Sequence, residues 1–259
     1  MVDWSGGNDT GPTPRKDAIW TCEAGHEPVY LRNRILAAEW LTDLIDDTLS
    51  RGQRLCIGFD FPFGYPLGFA QAVTGSNDPL RLWEWFEDRI EDSPHTNNRF
   101  DLAGAINQKL GGQGPFWGNG LKRDIPGLPR TKAGYQNPFP DRRVVEQLTK
   151  GTFTCWQMAG AGSVGGQVMM GLPILSRLRK LWPGQVAAWP YEPLSAPVSL
   201  IEIWPSLTVL KAPAEWIKDA WQVFRVAHGL AGLAPTKLHD MLDVTAPEEG
   251  WILGVRQDP

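Results

Sequence analysis

Asp60 closes the apolar run Leu55-Cys-Ile-Gly-Phe59 and precedes Phe-Pro-Phe-Gly-Tyr-Pro, a segment that cannot continue a sheet. In open α/β sheets ligands gather outside the carboxyl ends of the strands, so a carboxylate at this point is well placed to hold a metal ion. Its plain alternative is a turn-forming Asp. Glu202 interrupts Leu200-Ile-Glu-Ile-Trp204, and a charge inside so apolar a run is costly unless it is paired, metal-bound or turned to water. Asp240 and Asp243, in Lys237-Leu-His-Asp-Met-Leu-Asp243, fall on nearly the same face of a helix. Like charges so close disfavour each other unless a cation intervenes, or unless they cap a helix start. Asp3 precedes Trp-Ser-Gly-Gly, a glycine turn after the stub of a strand, with Ser5 inside the turn.

Two glycine-rich loops carry further candidates. Gly111-Gly-Gln-Gly-Pro-Phe-Trp-Gly-Asn-Gly120 holds Phe116 and Trp117 and is followed by Lys122, Arg123 and Arg130, a combination that can clamp a base and a phosphate. An ordinary surface loop pinned by its two rings is the competing reading. Gly160-Ala-Gly-Ser-Val-Gly165 spells a dinucleotide fingerprint, but its preceding strand is weak and no acid follows at the required distance. Tight helix packing or a phosphate-facing helix start suits it better.

These residues need elements to position them. Asp17–Cys22 and Glu27–Arg32 read as a strand hairpin across Ala24-Gly25-His26. From Ile35 to Ile45 a helix follows, with Leu36, Trp40, Leu41, Leu44 and Ile45 as its apolar stripe. Leu55–Phe59 is a strand covered on both faces. Segments 186–189 and 198–204 are also strands, and helices are expected near 213–230 and 236–246, with Pro247 ending the last one early. Between about 76 and 181 the chain is rich in Gly, Pro and Trp, with helices at 79–92, 100–110 and 165–181. The sequence thus describes one mixed α/β domain over 1–259 with an insertion or cap at about 76–181.

The order of the acidic motifs resembles a known pattern: Val-Asp-Trp-Ser-Gly leaving a first strand, Gly-Phe-Asp-Phe-Pro-Phe-Gly leaving a fourth, a Glu before Trp-Pro-Ser, and His-Asp-Met-Leu-Asp on the last helix. It is similar to the family of nucleases with a ribonuclease H-like fold catalogued as domain of unknown function 429, and the last helix also resembles that of Holliday-junction resolvases. The resemblance covers about 1–66 and 185–250. It implies a ribonuclease H-like mixed sheet flanked by helices, with Asp3, Asp60, Glu202, Asp240 and Asp243 around one divalent-metal site. Only Met1 and Val2 precede Asp3, so the first strand is short or its start lies upstream.

Oxygen-only ligands favour Mg²⁺ or Mn²⁺, and such ions can drive phosphoester hydrolysis without a protein nucleophile. Ser5, Phe116, Trp117, Lys122, Arg123, Arg130 and His239 are the expected substrate contacts. A net charge of −4 argues against a surface built to hold long nucleic acid. The expected partner is therefore a nucleotide-like small molecule or a short, structured nucleic acid. Thirteen tryptophans suit a flat aromatic ligand, a pterin dinucleotide included. A phosphate loop like that of sugar kinases at Asp3-Trp-Ser-Gly-Gly, or a binding protein without catalysis, are the other readings. Cys22, Cys56 and Cys155 are widely spaced, and neither a signal peptide nor a membrane span is legible, which points to a cytoplasmic protein.

Overall fold

The computed structural model describes residues 1–208, 211–246 and 248–257. Three short strands open the chain, β1 (Val2–Asp3), β2 (Ile19–Thr21) and β3 (Val29–Leu31), followed by helix α1 (Arg34–Ser50) and strand β4 (Leu55–Phe59). Helices α2 (Phe69–Thr74), α3 (Pro79–Glu87), α4 (Arg99–Lys109), α5 (Val144–Gln147) and α6 (Gly165–Leu181) fill the middle. The chain returns through β5 (Val186–Ala188) and β6 (Val198–Glu202), then helices α7 (Lys218–Ala231) and α8 (Pro235–Leu242). Most lie close to where periodicity places them, but the short α2 and α5 are unexpected, α3 stops at Glu87, α7 starts only at Lys218 and α8 stops at Leu242. Pro247, expected to end the last helix, lies outside the described residues.

The strands form one mixed sheet in the order β3-β2-β1-β4-β6-β5. β2 runs antiparallel to both neighbours, whereas β1, β4, β6 and β5 are mutually parallel. The carboxyl ends of β1 and β4 therefore emerge side by side at the centre of the sheet, and each ends on or next to an aspartate.

Side chains alternate between the sheet faces with period two. Ile57 and Phe59 of β4 and Val198 and Leu200 of β6 join the first core, which also takes in Leu41 and Ile45 of α1 and Trp83, Phe100, Trp156 and Met169 from the middle segment. The second core, on the other face, holds Met1, Trp20, Ile201 and Ile203 beneath Ala220 and Val223 of α7. The aromatic rings of the middle segment thus share a continuous core with the sheet.

Helix α1 starts where the Asn33 side chain accepts the Leu36 amide at 3.0 Å. It buries Ala37, Leu41, Ile45 and Thr48, a stripe turned one residue away from the expected one. Leu36 is left 38% exposed. The sheet selects the face bearing the small Ala37, which lets the helix approach closely.

Candidate functional site

Asp3 follows Val2 on β1 and pairs in register with Trp20 of β2, which places it toward the second core. Asp60 continues β4 one residue beyond Phe59 and by alternation faces the same way. Both line a cavity of about 660 Å³, together with Ser5, Lys218 and Asp219. Asp219 is the second residue of α7, where the partial positive charge of a helix start favours an anion.

The carboxylates are held from their backs by main chain. The Trp4 amide donates to Asp60 Oδ1 at 2.7 Å, and the Asp17 amide donates to Asp219 Oδ2 at 2.6 Å. Asp17 adopts a left-handed backbone conformation with φ of 58°, an unusual state for a non-glycine residue that Asp tolerates better than most. The Trp4 carbonyl in turn accepts from the Gln167 side chain of α6 at 2.7 Å.

Burial, then the charges of Asp60 and Asp219, push the Asp3 carboxyl well above the usual carboxylate range. Asp60 is raised to about 6 by burial, although hydrogen bonds from Asp3 and from the Trp4 amide act the other way. Asp219 is raised too, again chiefly by burial. The two shifts are those of a carboxyl pair that shares a proton, Asp3 as donor and Asp60 as acceptor.

A carboxyl whose folded pKa exceeds its unfolded value stabilises the fold at low pH, and that stability is lost as pH rises through the folded value. With divalent ions chelated, the protein is expected to melt at a higher temperature at about pH 5 than at about pH 8, the share due to Asp60 falling away above the ordinary aspartate value of about 4 and gone once pH passes about 6, and the share due to Asp3 being lost at higher pH. Asp3→Asn should flatten that dependence. Parallel melting curves for the variant and the wild type would refute the shared-proton pair.

Glu202 does not line this cavity, although it shares with Asp60 the lining of a smaller one of about 40 Å³. β6 pairs with β4 so that Phe59 stands opposite Glu202, and the glutamate takes the Phe59 face, one alternation away from Asp60. Its carboxylate accepts from Arg143 Nη1 at 2.8 Å and Nη2 at 2.5 Å, and from the Phe63 amide at 2.9 Å. Arg143 also donates through Nε to Glu146 at 2.9 Å. The charge expected to bind metal is consumed by an ion pair buried at the junction of sheet and middle segment.

Asp240, Asp243 and His239 are exposed on and just after α8, a helix with no buried residue, and none of them lines the cavity. Helical spacing does bring the two aspartates to one face, but α8 does not carry that face to the sheet. The loop at 111–120 is likewise structural. Phe116 is fully buried among Tyr65, Phe69 and Trp156, with its backbone fixed on both sides by the Asn107 amide. Trp117 is half-buried and Lys122 exposed. Arg123 pairs with Asp101 at 2.5 Å, and Arg130 with Asp124 at 2.9 Å. Of the seven expected substrate contacts, Ser5 alone lines the cavity.

Four residues of the cavity carry no spacing signal. Asp219 is a lone acid in a helical first turn, which reads like any cap. Arg99 sits at the start of α4 and faces the cavity, although it opens an unremarkable helix in sequence. Phe153, 51% exposed, and Trp204 also line the cavity, as an aromatic-rich chain leads one to expect of some rings. The 160–165 glycine loop borders the cavity too. The chain reaches it from an irregular stretch tied to its neighbours by the single bridge of Trp117 to Gln157, so it lacks the strand of a dinucleotide fingerprint.

Among the described residues no three His, Cys, Asp or Glu side chains already converge as a closed ligand set. The donor chemistry is nonetheless that of Mg²⁺, which keeps several waters and is commonly held by one or two carboxylates plus substrate oxygens. Among the described residues no helix is long and apolar enough to cross a membrane. Family models, curated proteins and solved structures include no match to this chain.

Proposed function

We propose that the chain is a metal-dependent phosphoester hydrolase built on a ribonuclease H-like sheet, related to the nucleases that its acidic motifs resemble. The observation that carries this reading is the Asp3–Asp60 pair, Asp3 buried and Asp60 half-buried, at the adjacent carboxyl ends of two central parallel strands. Two carboxyls that share a proton cannot both ionise unaided, and a divalent cation would let both do so. The strand order, with β2 antiparallel, supports the ribonuclease H-like assignment.

The particular activity we infer is hydrolysis of a nucleotide-sized phosphoester. A cavity of about 660 Å³ has the size of a small-molecule site, and the net charge of −4 opposes tight binding of a long polyanion. A bound Mg²⁺ or Mn²⁺ would polarise the phosphoryl group and acidify a water. Asp3 and Asp60 would hold it, giving up their shared proton, while the Trp4 amide keeps Asp60 oriented. Asp219, steadied by the Asp17 amide, is placed to complete the acidic wall, and Lys218 beside it tempers the negative charge on Asp3.

The test is a hydrolysis screen with Mn²⁺ across mononucleotides, dinucleotide cofactors, single strands and junctions. Turnover of mononucleotides or dinucleotide cofactors, abolished by a chelator, is the expected result. Turnover confined to long duplexes would overturn the small-substrate reading, and no metal-dependent turnover of any phosphoester would overturn the assignment.

A further inference from the structure

Part of the cavity lining has the reverse character of the carboxylates. Arg99 belongs to it, with its Nε fully buried and without an acceptor. One Nη donates to Asn97 Oδ1 at 2.7 Å, and no carboxylate pairs with the guanidinium among the described residues. The nearest acid is already taken, because Arg34 engages both oxygens of Asp92, at 2.7 and 2.6 Å. Two arginines therefore share one carboxylate in this corner, and the excess positive charge lies on the one that faces the cavity. Burial and the neighbouring Arg34 lower the Arg99 pKa to about 10, which still leaves it charged at neutral pH.

Arg99 is seated against the first turn of α6. A Cβ on Gly166 would lie 3.3 Å from Arg99 Nε, so the absence of a side chain there gives the guanidinium its place. Helix α6 is 17 residues long and begins without a side-chain cap. The Gly165 amide is used by the Gln157 carbonyl at 2.9 Å. The amides of Gly166 and Gln167, both cavity-lining residues, have no acceptor among the described residues. A half-buried arginine with no carboxylate partner among the described residues, set beside free amides at a helix start, is a combination that binds phosphate.

We propose that Arg99 and the Gly166 and Gln167 amides form a phosphate-binding subsite that holds the substrate's phosphate in the cavity lined by Asp3 and Asp60. This rests on the phosphoester reading of the acidic wall and names the group by which substrate is recognised. The subsite does not need metal, whereas the carboxylates do, so the two can be tested apart.

The experiment is calorimetric titration of the full chain with inorganic phosphate and, separately, with adenosine monophosphate, divalent ions being chelated. Wild type should bind both, and Arg99→Met should weaken both by about tenfold or more, the worth of a charge-assisted contact. Arg99→Lys should fall between, because an ammonium keeps the charge and loses the planar fork. Gly166→Ala, which crowds Arg99 without removing it, should also weaken phosphate and serves if Arg99→Met does not fold. Tighter binding of the nucleotide than of free phosphate would identify a nucleotide as the source of the phosphate; equal binding would identify the phosphate group alone. Phosphate affinity unchanged in a folded Arg99→Met, or in Gly166→Ala where Arg99→Met does not fold, overturns the subsite. Failure of the metal reading shows separately, as Mn²⁺ binding to Asp60→Asn that equals wild type in phosphate-free buffer.

Discussion

Asp60→Asn should abolish metal-dependent hydrolysis while leaving the fold intact. Electrostatic stabilisation by a metal ion is worth several kcal/mol in a transition state, and each ~1.4 kcal/mol is tenfold in rate, so the expected loss is roughly 10²-fold or more. Asn keeps the shape and one oxygen and can still accept the Trp4 amide, which at present reaches Asp60 Oδ1 at 2.7 Å. It no longer forces two acids to share one proton, so the metal-free variant should melt at or above the wild-type temperature. Added Mn²⁺ should then stabilise the wild type and not the variant, since a ligand raises stability only in proportion to its affinity for the folded state. Equal Mn²⁺ stabilisation of both proteins would reduce Asp60 to a turn residue.

The largest effect on stability is expected at Arg143. Its guanidinium is fully buried between Glu146 and Glu202. Burial alone would disfavour its charge, but the two carboxylates more than offset this and raise its pKa. Arg143→Met leaves both acids in an apolar interior with no cation. Breaking a buried pair in this way costs about 3–5 kcal/mol. Urea denaturation would measure it, and a loss below about 1 kcal/mol would show that water reaches the pair. Adding Glu202→Gln to Arg143→Met should recover part of the loss by removing one stranded charge.

How far the sequence could be read depended on whether a signal was local. Asp60 was legible because the strand before it is an unbroken apolar run and the loop after it cannot extend a sheet. Both facts lie within a few residues. Glu202 stood out as a buried charge, and that part of the reading was sound. Which face it occupies is set by the pairing of Phe59 with Glu202, a register that involves a strand more than a hundred residues away. Its partner Arg143 sits in an irregular stretch with no periodicity to mark it. Asp240 and Asp243 obey helical spacing, but spacing says only that two side chains share a face, and the absence of buried residues on α8 decides that the face meets solvent. Asp219 shows the converse: one acid in the first turn of α7 has no pattern, and the docking of that turn beside β1 gives it a place in the cavity. Arg123 and Arg130 were read as free cations because their partners, Asp101 and Asp124, are chosen by the folding of the loop.

The Gly6–Gly166 approach fixes the gauge of the cavity. A Cβ on Gly6 would stand 2.6 Å from the carbonyl carbon and oxygen of Gly166, so at this point the turn after β1 and the first turn of α6 meet main chain to main chain. The spacing between the acidic wall and the arginine wall is therefore a backbone dimension. Side-chain exchanges at the rim, at Phe153 or Trp204, would alter how firmly a ligand is gripped without altering the span that it must bridge. Only a change at the glycine contact would widen the jaws, and it would act on every ligand alike, as shifting the fixed anvil of a calliper changes all its readings by the same amount.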